Sequence, residues 1–205
     1  MSPAWRFVGL PSQSLPRTVY GIVRLPADGV VLRAEADASY GNLFHPTPDG
    51  RAGTLTWRWR LDQPNAATDL RQKSGDDAAL KVCALFDLPL SAVPFVERQL
   101  LRVARMSTPD PLPAATVCYQ WEPRLPQGTV LDNAYSRRVR IMVLRGQEAS
   151  GLQWHAERRD LAADFMRLFG DEAAQVPPLL GIAVGADADN TRGRSIGHLA
   201  DLALP

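Results

Sequence analysis

The run TLTWRWRLD at 54–62 alternates apolar and polar residues without a break. A strand sends successive side chains to opposite faces, so this pattern fits a half-buried β-strand and conflicts with the period of a helix. Leu55, Trp57, Trp59 and Leu61 take one face; Thr56, Arg58 and Arg60 take the other. The same period recurs at 18–25, 29–36, 79–88, 115–122, 138–144, 151–158, 179–186 and 197–204, with Gly, Pro, Asp and Asn between the runs. PADG between the first two of these predicts a hairpin. In 79–88, Leu80, Val82, Ala84 and Phe86 share a face, and Lys81, Cys83 and Leu85 oppose them.

Two segments carry a helical period instead. In 91–106, Ser91 is a candidate N-cap, Pro94 falls in the first turn, and Val96, Leu100 and Val103 form an apolar stripe. In 160–170, Asp160 caps, Leu161, Phe165, Leu168 and Phe169 form the stripe, and Gly170 suits a left-handed stop. Each stripe needs burial, so both helices are expected to lie against the sheets as connectors. The Pro-rich runs at 107–115 and 124–128 are expected to be loops. No repeat, low-complexity segment or shift in composition divides the chain. The prediction is a single domain over residues 1–205, an all-β antiparallel jelly-roll β-sandwich with two short connecting helices.

Composition narrows the function classes. With 23 basic and 22 acidic residues the net charge is +1, which gives no support to nucleic-acid or anionic-membrane binding as the main task. No stretch approaches the roughly 20 apolar residues that cross a bilayer, and the N-terminal run lacks the basic start and apolar core of a signal peptide. Cys83 and Cys118 lie in separate apolar segments, to be paired if the protein is exported or left as two buried thiols if it is cytosolic. Two Cys and three scattered His show no zinc spacing. There is no G-x-S-x-G, Walker loop or dinucleotide fingerprint.

Two constellations remain as candidate sites. The first is GADADNTRGR at 185–194. Counted as an EF-hand from Asp187, its sixth position is Arg192 and its twelfth His198, where Gly and Glu are needed, so that motif is absent. A strand-end turn is favoured, with a ligand loop or a calcium site on Asp187, Asp189 and Asn190 as alternatives. The second is a polar strand face. Strict alternation in 151–158 puts Leu152, Trp154 and Ala156 inward and His155 and Glu157 outward, so Arg58, Arg60, Gln120, Arg140, His155 and Glu157 would line one sheet if their strands are neighbours. Arginine forks and amides suit hydroxyl and carboxylate partners, and His155 with Glu157 has the make-up of an acid–base pair. Four of the five tryptophans fall on apolar phases; Trp5 is freest to be exposed.

LTWRWRLD, VCYQWE, VRIMVLRG, WHAERRDLAADFMRLFG, GIAVGADADNT and HLADLAL together resemble a bacterial family defined as a domain of unknown function, number three thousand and forty-seven. Its most specific runs here are Trp154 to Asp160 and Asp187 to Thr191, and Asp76 and Asp77 match an acidic strand start. The resemblance implies a carbohydrate-binding-module-like sandwich, usually exported, and brings no established activity. The expected function is therefore a non-catalytic module that binds a glycan or other small polar ligand on a sheet face and its loops. The alternatives are a protein-interaction or structural module, and an enzyme acting on polysaccharide through His155 and Glu157.

Overall fold

The computed structural model describes residues 4–10, 13–47, 50–106, 112–146 and 152–204. Among these residues twelve strands form the sandwich: β1 (Arg6–Val8), β2 (Val19–Leu25), β3 (Gly29–Asp37), β4 (Asn42–Pro46), β5 (Thr54–Gln63), β6 (Ala78–Phe86), β7 (Ala115–Trp121), β8 (Val130–Asp132), β9 (Val139–Arg145), β10 (His155–Asp160), β11 (Leu179–Asp187) and β12 (Arg194–Ala203). Helix α1 (Phe95–Met106) links β6 to β7, and α2 (Leu161–Phe169) follows β10 directly. One sheet has seven strands in the order β1-β4-β11-β6-β7-β9-β8; the other has five, β10-β5-β12-β3-β2. Pairing is antiparallel except between β7 and β9, so the jelly roll is antiparallel with one parallel pair.

The core lies where the inner faces meet. Trp57 and Trp59 from β5 pack on Tyr119 and Trp121 from β7, with ring centroids 5.4 and 5.8 Å apart. Helix α2 adds Leu161, Phe165, Leu168 and Phe169 to this cluster, and Asp160 caps it by accepting from the backbone N–H groups of Ala162 and Ala163. Gly170 departs from the expected left-handed stop, because its φ of −65° is right-handed. What it supplies is room: a Cβ there would stand 2.4 Å from the Met166 carbonyl oxygen.

Helix α1 corrects a second expectation. Val96 and Leu100 are 67% and 66% exposed, and only Leu101 of the helix is buried. The side turned to the sandwich carries Glu97, which pairs with Arg138, and Arg105, which donates to the Leu112 carbonyl at 2.7 Å. Arg138 is buried and needs carboxylates, and a buried charge left unpaired is strongly unfavourable. That requirement, met by Glu97 and Glu172 together, sets the rotation of the helix.

Candidate functional site: a groove on the outer face of the larger sheet

Central strands of the seven-stranded sheet are apolar on both faces. On the side away from the core, Leu70, Cys83, Cys118, Leu125, Ile141, Val143 and Ala183 form a second buried cluster. Cys83 and Cys118 are register partners on β6 and β7, and they form a disulfide with Cα atoms 4.1 Å apart. Antiparallel neighbours come this close only at a facing pair, so the β6–β7 register itself brings the two sulfurs together. A groove of about 510 Å³ runs over this face. Its floor and one end are apolar, with Phe44, Leu85, Leu112 and Val139, and Asp76, Asp77, Lys81, Gln120, Asp187 and Asp189 stand at the other end.

The polar end is built by three segments. Asp76 and Asp77 precede β6, Lys81 and Gln120 face each other across β6 and β7, and Asp187 and Asp189 come from the end of β11. Lys81 Nζ donates to Asp187 Oδ1 at 2.9 Å, and the backbone N–H of Ala78 donates to the same oxygen at 3.2 Å. Burial pushes the Asp187 carboxyl up to about 6, against the opposing pull of Lys81. Burial works to lower Lys81, but the Asp187 carboxylate beside it holds the ammonium above the ordinary lysine range. Asp76 and Asp189 are both raised, chiefly by burial. From the second sheet, Tyr20 Oη accepts from the Ala186 N–H at 3.0 Å and fixes this end of β11.

The DADNT stretch closes around Asp77. The N–H groups of Asn190 and Thr191 donate to its two carboxylate oxygens at 3.0 and 2.9 Å, and Thr191 Oγ1 donates at 2.5 Å. The stretch is thus a turn clamped by a carboxylate from another segment. Asp77, Asp187 and Asp189 each offer an oxygen within 4.8 Å of the others, yet Asp77 is saturated by amides and Lys81 already supplies a cation to Asp187. Asn190 accepts from the Tyr135 hydroxyl at its Oδ1, 2.6 Å away, and its side-chain amide donates to the Asp76 carbonyl at 3.1 Å.

The six residues expected on one face are in four places. Arg58 and Arg60 lie on the outer face of the smaller sheet, where Arg58 pairs with Asp201 at 2.5 Å and Arg60 with Asp62 at 2.8 Å. Both also stack on Trp154, 4.5 and 5.3 Å from its ring centre. The expected phase of 151–158 is reversed, because His155 and Glu157 register with Trp59 and Trp57 and so point inward. The indole N–H of Trp59 donates to Glu157 at 2.9 Å, Arg145 donates to it at 2.6 Å, and His155 packs edge-on to Trp121. These needs for an acceptor and a ring partner decide the phase, and neither residue lines the groove. Arg140 registers with inward-facing Val117 and holds α2 and the turn after it through Leu168, Asp171 and Glu172.

Gln120 alone of the six lines the groove. It is 4% exposed, and its Oε1 has no hydrogen-bond partner among the described residues. The buried Oδ1 of Asp189 is in the same condition. Lys81 and the apolar floor were missed as site residues. The available signal was the outer phase of β6 and β7, where Cys83, Leu85 and Cys118 stand at positions that a solvated strand fills with charge.

The family model for Protein of unknown function (DUF3047) matches residues 3–203. The chain belongs to this family. For this DUF3047 protein no curated protein matches in sequence. Among solved structures, the endoglucanase 3 of Trichoderma harzianum, from family GH12, is similar at 8% identity with a TM-score of 0.45, over 99% of this chain and 100% of that one.

Proposed function

We propose that the groove on the seven-stranded sheet binds a polyhydroxylated ligand, a glycan or a small polar molecule with a glycan's mixture of C–H faces and hydroxyls, and that the protein acts as a binding module. The observation that carries this is the pair of buried, unpartnered acceptors, Gln120 Oε1 and Asp189 Oδ1, in residues that line it. A buried acceptor without a donor costs about 1–3 kcal/mol. A bound hydroxyl removes that cost, while Phe44 and Leu85 cover the apolar side of a sugar ring. The Cys83–Cys118 disulfide supports a place outside the reducing cytosol, in keeping with export.

Thermal melts against a panel of oligosaccharides test this. A ligand at a hundredfold excess over its Kd adds about 2.7 kcal/mol of stability. In Gln120→Met the shift should vanish, while the free protein melts no lower than wild type because an unsatisfied polar atom has gone. A panel without a shift, together with a Gln120→Met protein that melts well below wild type, would assign the oxygen to the fold and overturn the proposal. Millimolar calcium should leave the melting point unchanged, since in the cluster of Asp77, Asp187 and Asp189 the loop amides hold Asp77 and Lys81 already supplies a cation to Asp187.

A further inference from the structure

The polar end of the groove is unbalanced in charge. Four carboxylates, Asp76, Asp77, Asp187 and Asp189, line it with one ammonium, Lys81. That ammonium is 2.9 Å from Asp187 and is matched by it. Asp77 is held by neutral donors, the N–H groups and hydroxyl of Asn190 and Thr191. Asp76 accepts from the side-chain amide of Asn133 at 2.5 Å, and no ion pair is made by Asp76, Asp77 or Asp189 among the described residues. Lys73, the other lysine, lies over the Tyr135 ring at 5.2 Å. Arg6 is the only arginine lining the groove among the described residues, and it packs over the Phe44 ring, part of the apolar floor.

The unsatisfied atoms have the same polarity as the charge. Gln120 Oε1, in a residue 4% exposed, and Asp189 Oδ1 are both acceptors. Lys81 and Gln120 are opposed in register, which puts the Gln120 acceptor on the strand pair that carries Lys81 towards Asp187. An occupant of this end therefore has to bring donors, and a donor with a positive charge answers both the two empty acceptors and the surplus of carboxylates. A protonated amine does this with three N–H groups.

From these observations we propose that the ligand class of the groove is an amine-bearing one, an amino sugar or comparable hydroxylated amine whose ammonium seats between Asp189, Asp76 and Gln120 while its body lies on the floor by Phe44 and Leu85. This rests on the groove being the binding site. Burial and neighbouring carboxylates hold the Asp189 and Asp76 carboxyls above their ordinary values, and an ammonium between them draws both down.

The test titrates the full chain by calorimetry at pH 6 with two tetrasaccharides of identical backbone, one of glucosamine and one of N-acetylglucosamine. The glucosamine tetramer should bind about tenfold more tightly, the size of one charge-assisted hydrogen bond. The advantage should shrink as salt is raised, and in Asp189→Asn the ratio of the two affinities should fall toward unity. Equal affinity of the two sugars in wild type, or a preference for the acetylated one, would overturn the amine while leaving a glycan groove standing. Binding of neither would overturn both this inference and the reading under it. A wild-type preference that survives unchanged in Asp189→Asn would move the ammonium away from this end and also reject the site.

Discussion

Lys81 and Asp187 are the residues on which the groove's polar end depends, and their coupling gives a signed pH prediction. Asp187 has a carboxyl raised to about 6 from an ordinary 3.8. An acid raised on folding favours the folded state most at low pH, and that contribution is lost as pH climbs through the interval between the two values. Removing the ammonium in Lys81→Met raises the Asp187 carboxyl further and widens the interval upward. The variant should be destabilised by about 3 kcal/mol at pH 8, where Asp187 must be buried as an unpaired anion. At pH 5 it takes up a proton, and the loss should be clearly smaller. Urea denaturation at the two pH values measures this. An equal loss at both would mean that Lys81 contributes packing and not charge. Adding Asp187→Asn to Lys81→Met should restore much of the stability at pH 8, because no charge then remains to be buried.

At the scale of elements, the two helices show what a periodic pattern does and does not contain. For α2, cap, stripe and buried face all agree with the sequence, since Asp160 is adjacent to the helix, Phe165 packs on Phe86 in the core, and Phe169 lies under Arg138 and Arg140. For α1 the pattern correctly places Val96, Leu100 and Val103 together on one side, but it carries no information on which side meets the sandwich. A partner remote in sequence decides that, Arg138 drawing Glu97 inward. Two neighbouring substitutions separate these accounts. Leu100→Glu, at a position 66% exposed, should change stability by no more than about 0.5 kcal/mol. Leu101→Glu, at a position 7% exposed, should cost about 3 kcal/mol or more, as expected when a carboxylate is forced into an apolar contact. Equivalent losses in chemical denaturation would show that the stripe is covered in solution. β10 fails for a related reason. Trp154, apolar in any scale, lies outside under two arginines, whereas Glu157 goes inside to serve an indole and Arg145. Strand positions were legible because alternation is local. The short β1, β4 and β8 gave too few residues for a period, and the assembly of the groove from Asp76, Gln120 and Asp189 depends on strand order, which no local pattern holds.

For the whole molecule, the question is whether two apolar clusters on opposite faces of one sheet unfold together. The larger cluster fills the sandwich; the smaller, around Cys83, Cys118, Ile141 and Val143, lies under the groove. They share β6, β7, β9 and β11, whose residues alternate between them, so neither can open without dismantling the strands of the other. One cooperative transition is expected, with tryptophan fluorescence reporting Trp57, Trp59 and Trp121 and far-ultraviolet circular dichroism reporting the sheets at the same midpoint. The disulfide links positions 35 apart in sequence, and loop-closure entropy assigns a bond of that span about 4 kcal/mol. Cys83→Ser with Cys118→Ser should lower stability by about that amount and leave the two probes coincident, because the shared strands remain. If the probes separate in the variant, with the fluorescence midpoint above that of circular dichroism, then the larger sheet has lost its groove side independently. The disulfide would in that case be what joins two folding units across residues 1–205, and the expectation of a single domain would fail.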